Sequence, residues 1–117
     1  MKDVRVYLAH ILECCLKIRE YTADGQHAFM GSSFIQDAVI RNLEIIGEAA
    51  KRIDEQHRRE WPEIPWREMA AMRDILIHQY EGVDLRMVWS VVANDIPVLT
   101  DKIQSILPPL PELEKEM

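Results

Sequence analysis

A chain of 117 residues suggests one domain with a modest hydrophobic core. Its composition, 48% hydrophobic and 29% charged, is typical of a soluble globular protein and argues against a disordered one. The formal net charge of −6 argues against a broad electrostatic hold on nucleic acid, so RNA or DNA binding is expected only at a local site.

Features of the chain that report on its compartment favour the cytoplasm. Cys14 and Cys15 are adjacent within a helical pattern, where neighbouring residues make a poor disulfide, which suits a reducing environment. The first ten residues carry charges and lack the apolar core of a signal peptide. No apolar run approaches the roughly 18 residues of a membrane span. We therefore expect a cytoplasmic protein with no membrane partner.

Apolar periodicity predicts two helices in the first half of the chain. The first covers residues 2–21, where apolar side chains recur at alternating steps of four and three. It is expected to stop near Gly25, a candidate helix cap. A polar loop follows, in which Ser32 or Ser33 can cap the next helix. That second helix is predicted over residues 34–56.

Two further helices are predicted in the second half. A proline-containing break ends at Pro65, which suits the first turn of a helix because its missing N–H costs nothing there. The third helix is predicted over residues 66–79 and the fourth over 85–107, with Asp84 as its N-cap. Pro97 falls inside the fourth helix and is expected to kink it.

These elements predict an all-α domain over residues 1–107, built as an antiparallel four-helix bundle. A proline-rich acidic tail is expected at residues 108–117. No internal repeat and no second domain are visible. The spacing of histidines, cysteines and carboxylates offers no set suited to a metal ion.

The third predicted helix carries ionisable side chains in an otherwise mostly apolar segment. Arg73, Asp74, His78 and Tyr80 fall within eight residues. Burying such groups unpaired costs on the order of 1–3 kcal/mol each, and more for a charge. Arg73 and His78 are five residues apart, so they diverge by roughly 140° on a straight helix. A site that uses both requires either a helix that ends near His78 or a second chain.

The apolar residues of the third helix occupy most of its circumference. A helix of this kind is buried on several sides, and a small bundle cannot supply all of that cover. The pattern therefore predicts a homodimer, or a higher oligomer, with this helix close to a two-fold axis.

The pattern Arg73, His78 and Tyr80, Arg-X4-His-X-Tyr, resembles the signature of HEPN domains of the HepT type. These domains are the toxin half of the HepT–MntA toxin–antitoxin systems. Two flanking blocks, residues 38–50 and 64–70, also resemble that family. The resemblance covers nearly the whole chain, including the Gly-Val-Asp turn after the motif.

Two positions depart from the family pattern. Asp74 stands where many relatives have asparagine, which places a charge beside the site. Glu81 stands where relatives often have an aromatic residue, which alters the surface beside Tyr80. Neither departure removes a residue of the motif.

The resemblance implies an all-helical RNA endonuclease that needs no metal or other cofactor and works in a cleft between two protomers. Arg73 would bind the scissile phosphate, for which guanidinium geometry is well suited. His78 would move a proton near neutral pH, and Asp74 could hold one of its ring nitrogens. Tyr80 matches the tyrosine that an MntA-type nucleotidyltransferase modifies with AMP, which would silence the toxin of a type VII system.

Several residues keep more than one interpretation. Glu44, Glu48 and Arg41 could support the site, and Arg73 could equally be a structural ion-pair partner of Glu44 or Glu48. Asp74 and His78 could simply be a pair four residues apart on one helix face. A basic cluster is interpreted as a solvated helix end, where cations are favourable; it consists of Lys51, Arg52, Arg58 and Arg59.

A competing function follows from the acidic composition. A free RNA-cleaving enzyme usually benefits from a basic surface. The alternative is a non-catalytic helical partner that docks a nucleotidyltransferase and is regulated by it. The charge around Arg73 and His78 discriminates between them, because a basic site favours the nuclease.

Overall fold

The computed structural model describes residues 3–79 and 82–107. Those residues contain helices and no strand, so the predicted all-α class is confirmed. Residues Val91–Asp95 form a π-helical segment that joins α6 to α7. In chain order the α-helices are α1 (Val4–Tyr21), α2 (Gly25–Met30), α3 (Ser33–Lys51), α4 (Glu55–Glu60), α5 (Trp66–His78), α6 (Leu85–Ser90) and α7 (Ile96–Ile106).

The core lies where the long helices meet. α3 packs against both α1 and α5, and α7 packs against α1. The helical bundle expected from the sequence is confirmed, with α6, the π-helical segment and α7 together forming its fourth helix. Large, fully buried side chains come from six of the helices and from the loop before α5: Leu8, Ile11, Ile18, Phe29, Val39, Ile64, Leu76, Val88 and Ile103.

The two short helices α2 and α4 were not predicted from the sequence as separate elements. α2 lies in the predicted loop, and Gly25, with φ of 90°, begins α2 rather than capping α1, which ends at Tyr21 with Thr22 as its C-cap. The second predicted helix, 34–56, was too long because the Asp54 carboxylate accepts a hydrogen bond from the His57 N–H and starts α4.

The end of α3 is capped by a side chain from α4. The Arg58 guanidinium donates to the carbonyl oxygens of Ile53 (3.0 Å) and Ala50 (2.9 Å). For Arg58, the interpretation of the basic cluster as a cation at a helix end is therefore correct. Lys51 and Arg52 instead pair with carboxylates.

The irregularity expected at Pro97 lies in the turn before it. Pro97 occupies the start of α7, and the π-helical segment Val91–Asp95 directly precedes that helix. Proline removes an N–H and crowds the carbonyl four residues earlier, so a widened turn there relieves both effects. Thr100 is fully buried one turn later, and its hydroxyl donates to the Ile96 carbonyl.

The adjacent cysteines are buried, and their thiols are poorly reactive. Cys14 and Cys15 are free thiols in the core side of α1. Burial raises the pKa of Cys14 to about 11 and that of Cys15 to about 12. A thiol with such a pKa is almost entirely protonated at neutral pH and is a poor nucleophile.

Among residues 3–79 and 82–107, no helix combines the length and apolar character needed to cross a lipid bilayer. The predicted tail, residues 108–117, lies outside the described residues, so the division at residue 107 stays a prediction.

Candidate active site

A glycine lets α5 approach α3 closely enough to assemble the site. Gly47 is buried in the middle of α3, and a Cβ atom there would collide with the Cβ of Arg73. The same atom would lie 2.7 Å from the carbonyl oxygen of Met69. The polar residues on either side of Gly47 are thereby brought against the polar part of α5.

Five charged side chains form a connected set of ion pairs, which we name the Arg73 network. Its members are Glu48 and Lys51 of α3, Arg52 directly after α3, and Arg73 and Asp74 of α5. Arg73 Nε lies 3.0 Å from Glu48 Oε2, and its Nη1 lies 3.3 Å from Asp74 Oδ1. Lys51 Nζ lies 2.6 Å from Asp74 Oδ1, and Arg52 Nη2 lies 3.3 Å from Glu48 Oε1. Three cations thus surround two carboxylates, which leaves a net positive charge around Arg73 on a chain of net charge −6.

Asp74 remains ionised in this setting. The hydrogen bond from Lys51 holds the pKa of the Asp74 carboxyl below its usual range, and Arg73 lowers it further. Its charge holds Arg73 from one side while Glu48 holds it from the other. These contacts occupy Nε and Nη1; no hydrogen bond to a residue of 3–79 or 82–107 uses Nη2. The remaining donors of a part-exposed guanidinium can therefore bind an anion.

His78 is the last residue of α5, so it lies on the same helix as Arg73, and no hydrogen bond joins their side chains in the part of the chain that the structure describes. Its Nδ1 lies 2.7 Å from the backbone carbonyl oxygen of Asp74. A carbonyl can only accept, so Nδ1 carries the hydrogen in this contact. In the neutral ring Nε2 is then unprotonated, and the side chain is exposed. His78 can therefore take a proton from a ligand at Nε2.

The expected contact between Asp74 and His78 is made by a different atom of Asp74. The backbone carbonyl, not the carboxylate, holds the ring nitrogen, because the carboxylate is turned to Lys51 and Arg73. The Asp74 carbonyl lies one helical turn before His78 and within reach of its ring, whereas the carboxylate is held 2.6 Å from Lys51 Nζ.

The structure brings together several of the other predicted residues. Glu48 contacts Arg73 directly, whereas Glu44 and Arg41 line a groove beside it. The structural alternative for Arg73, a pair with Glu44 or Glu48, is therefore realised with Glu48. The pairing does not occupy the whole guanidinium, so it is compatible with substrate binding. Tyr80 lies outside the described residues.

Two residues of the site were not predicted from the sequence. Lys51 was assigned to a solvated helix end, yet it follows Glu48 by three residues and so shares its helix face. Gly47 was not singled out, although a mid-helix glycine costs roughly 0.5–1 kcal/mol relative to alanine. That cost is a recognisable signal of close backbone approach.

Comparison with known proteins identifies the family. A family model described as ribonuclease HepT-like matches residues 11–106, most of the chain. The chain belongs to the HepT-like ribonuclease family. The match confirms the family resemblance that was based on Arg73, His78 and Tyr80 and on the blocks around them in this HepT-like chain.

Two relatives are identical to the HepT-like chain at about half of the aligned residues. It is 50% identical over 101 residues to a Thermococcus cleftensis protein named "Probable ribonuclease HepT", covering 86% of this chain and 92% of that one. It is 52% identical over 107 residues to a Methanocaldococcus jannaschii protein named "Gamma-glutamylcyclotransferase and putative RNase". That match covers 91% of this chain and 48% of the relative, so the chain spans about half of that protein. No solved structure matches the chain.

Proposed function

We propose that this HepT-like chain is an RNA endonuclease in which Arg73 binds the scissile phosphate and His78 transfers protons. One observation carries the proposal. His78 ends α5 with Nδ1 donating to the Asp74 carbonyl, five residues after an arginine that Glu48 and Asp74 hold in place. The net positive charge of the Arg73 network favours this function over a purely docking role.

The chemistry follows from these groups. The unprotonated Nε2 of His78 accepts the proton of a ribose 2′-OH as the 2′-oxygen attacks the adjacent phosphorus. The new P–O2′ bond forms as the P–O5′ bond breaks, which leaves a cyclic phosphate and a 5′-hydroxyl. Arg73 stabilises the negative charge that develops on the phosphate oxygens. The 5′-oxygen takes its proton from a protonated imidazole, and a second copy of His78 across a dimer cleft supplies one.

A direct test is incubation of the purified protein with single-stranded RNA in the presence and absence of EDTA. We expect cleavage at the same rate in both, with products that carry cyclic phosphate and 5′-hydroxyl ends. Loss of cleavage in EDTA, or products with 5′-phosphate ends, would mean that the proton-transfer mechanism is misassigned.

Dimerisation is the second part of the proposal. Ile75 is 42% exposed and lies three residues before His78, so the two share the outer face of α5. An exposed isoleucine beside a catalytic group is explained if a second copy covers it and brings its own His78 near. We expect the mass measured by light scattering at micromolar concentration to be twice 13.7 kDa or a higher multiple. Ile75→Asp should reduce that mass to the monomer, and a monomeric wild-type protein would contradict this part.

Control by a partner nucleotidyltransferase is the third part, and it rests on the family resemblance at Tyr80. Tyr80 follows His78 by two residues, so AMP attached to its hydroxyl would place negative charge and bulk beside the catalytic groups. The added phosphate would compete with RNA for Arg73. Under this proposal the chain is the toxin of a type VII toxin–antitoxin pair.

Co-expression with an MntA-type partner tests this control. With ATP present, the protein should gain mass in AMP steps on Tyr80 and lose nuclease activity. Tyr80→Phe should still cleave RNA and resist the inactivation, because it lacks the hydroxyl that is modified. Modification at another residue, or equal silencing of Tyr80→Phe, would assign control to occlusion by the partner.

A further inference from the structure

A groove beside Arg73 holds side chains that take no part in the chemistry above. Arg73 and Ile77, four residues apart on α5, form one side of it. Helices α1 and α3 supply the other walls, and its volume is about 430 Å³. Ligand pockets in proteins span roughly 300–1,000 Å³, so the groove is large enough to hold a small ligand. We name it the Arg41 groove; its other lining residues are Tyr7, His10, Arg41, Glu44, Ile45, Glu48, Ala49 and Arg52.

The walls of the Arg41 groove combine a cation with an aromatic ring. Arg41 is exposed, and no residue of 3–79 or 82–107 forms an ion pair with its guanidinium. Tyr7 is half-buried on α1 and lines the same groove, with His10 beyond it on the same helix. Because Tyr7 is held by packing against the core, its ring offers a fixed surface. A cation and a fixed ring are the two elements with which proteins bind single-stranded nucleic acid.

The carboxylates in the groove do not cancel this positive character. Glu48 is already paired with Arg52 and Arg73, so its charge is compensated within the Arg73 network. Glu44 remains as an acceptor, which suits the hydroxyl of a ribose. The cations of the groove therefore outnumber its carboxylates before any contribution from His10.

We propose that the Arg41 groove binds the nucleotide that flanks the scissile phosphate, with Arg41 on its phosphate and Tyr7 against its base. This inference rests on the proposed ribonuclease function. Arg73 would hold the scissile phosphate at the end of the groove, and the next nucleotide of a single strand would lie along α3. Stacking on Tyr7 tolerates any base, so the groove contributes affinity for single-stranded RNA more than sequence preference.

The test measures binding separately from cleavage. A fluorescently labelled single-stranded oligoribonucleotide is titrated with the His78→Ala protein by anisotropy at several salt concentrations. Adding Arg41→Gln should weaken binding by roughly 10-fold, as expected for one charge-assisted hydrogen bond. It should also lower the slope of log affinity against log salt by about 0.7, the value for one phosphate contact to a single strand.

A matched control removes the same charge elsewhere. Arg59 is exposed on α4 and lines a different groove, so Arg59→Gln should change neither the affinity nor the slope. Tyr7→Leu should weaken binding by roughly 10-fold at an unchanged slope, because stacking involves no counterion. Tyr7→Phe, which keeps the ring, should bind more tightly than Tyr7→Leu. Thermal melts of each variant establish that the fold is retained.

The outcomes separate this inference from the proposed function. In the cleaving protein, Arg41→Gln should raise KM more than it lowers kcat. If the wild-type protein cleaves RNA but Arg41→Gln leaves RNA affinity unaltered, the groove proposal alone is overturned. Equal losses of RNA affinity in Arg41→Gln and Arg59→Gln would also overturn it. A change of oligomeric mass in Arg41→Gln without a change in RNA affinity would instead assign the groove to contact between copies. A wild-type protein that binds RNA through Arg41 but never cuts it would overturn the nuclease proposal alone.

Discussion

His78→Ala is expected to reduce RNA cleavage by a factor of about 10²–10⁴, because a positioned proton-transfer group contributes that much to a rate. Arg73→Ala should cause a loss of similar size, because it removes the cation that stabilises the phosphate. Arg73→Lys should recover little of it, since lysine keeps the charge but loses the planar pair of donors. The measurement is the single-turnover cleavage rate of a defined oligoribonucleotide.

Matched substitutions isolate the chemistry from general effects. His27 is exposed on α2 and Arg59 is exposed on α4, so His27→Ala and Arg59→Ala should cleave at the wild-type rate. Neither catalytic substitution should unfold the protein, because part-exposed ion pairs contribute only about 0–1 kcal/mol to stability. Full cleavage by both the His78→Ala and Arg73→Ala proteins would show that other residues do the chemistry.

Gly47→Ala is expected to destabilise the protein and to reduce its activity together. In an ordinary helix this change is favourable by roughly 0.5–1 kcal/mol. At Gly47 the added methyl group meets Arg73 Cβ and the Met69 carbonyl, so α3 and α5 must move apart. Overpacking of this kind typically costs about 1–3 kcal/mol. The displacement also removes Arg73 from Glu48, so we expect cleavage to fall at least about 10-fold, consistent with the cost of small misplacements.

A control glycine distinguishes this effect from helix propensity. Gly31 is exposed after α2 with φ of −96°, and a Cβ there would meet only the His27 carbonyl oxygen at 3.4 Å. Gly31→Ala should leave both the free energy of unfolding and the cleavage rate close to wild type. If Gly47→Ala is at least as stable as wild type and fully active, then α3 and α5 accommodate the added methyl group without a loss of free energy of unfolding. Chemical denaturation and the same cleavage assay provide the two measurements.

The sequence was most informative where hydrogen bonds are local. Ser32 caps α3 by accepting from the Ile35 N–H, and Asp84 caps α6 by accepting from the N–H groups of Arg86 and Met87. All three hydrogen bonds join residues no more than three positions apart, so residue type and spacing suffice to predict them. For His78 the sequence predicted the partner residue, Asp74, but not the atom, because the backbone carbonyl and not the carboxylate makes the contact.

Spacing within a helix could not reveal what another helix supplies. Lys51 and Asp74 are 23 residues apart, and only the close packing of α3 and α5 brings Nζ within 2.6 Å of the carboxylate. That contact turned the Asp74 carboxylate away from His78. A charged side chain takes the nearest opposite charge in space, which a single helix pattern does not contain.

By itself, the sequence determined the helical class, the Arg-X4-His pair on α5 and the family, because these depend on periodicity and on residue identity at short spacing. Tertiary structure alone decided that Gly47 sets the distance between α3 and α5, that Glu48 and Asp74 together hold Arg73, and that Arg41 opens into a groove beside it. Each of these depends on the approach of two helices, and that distance results from side-chain packing across the whole core.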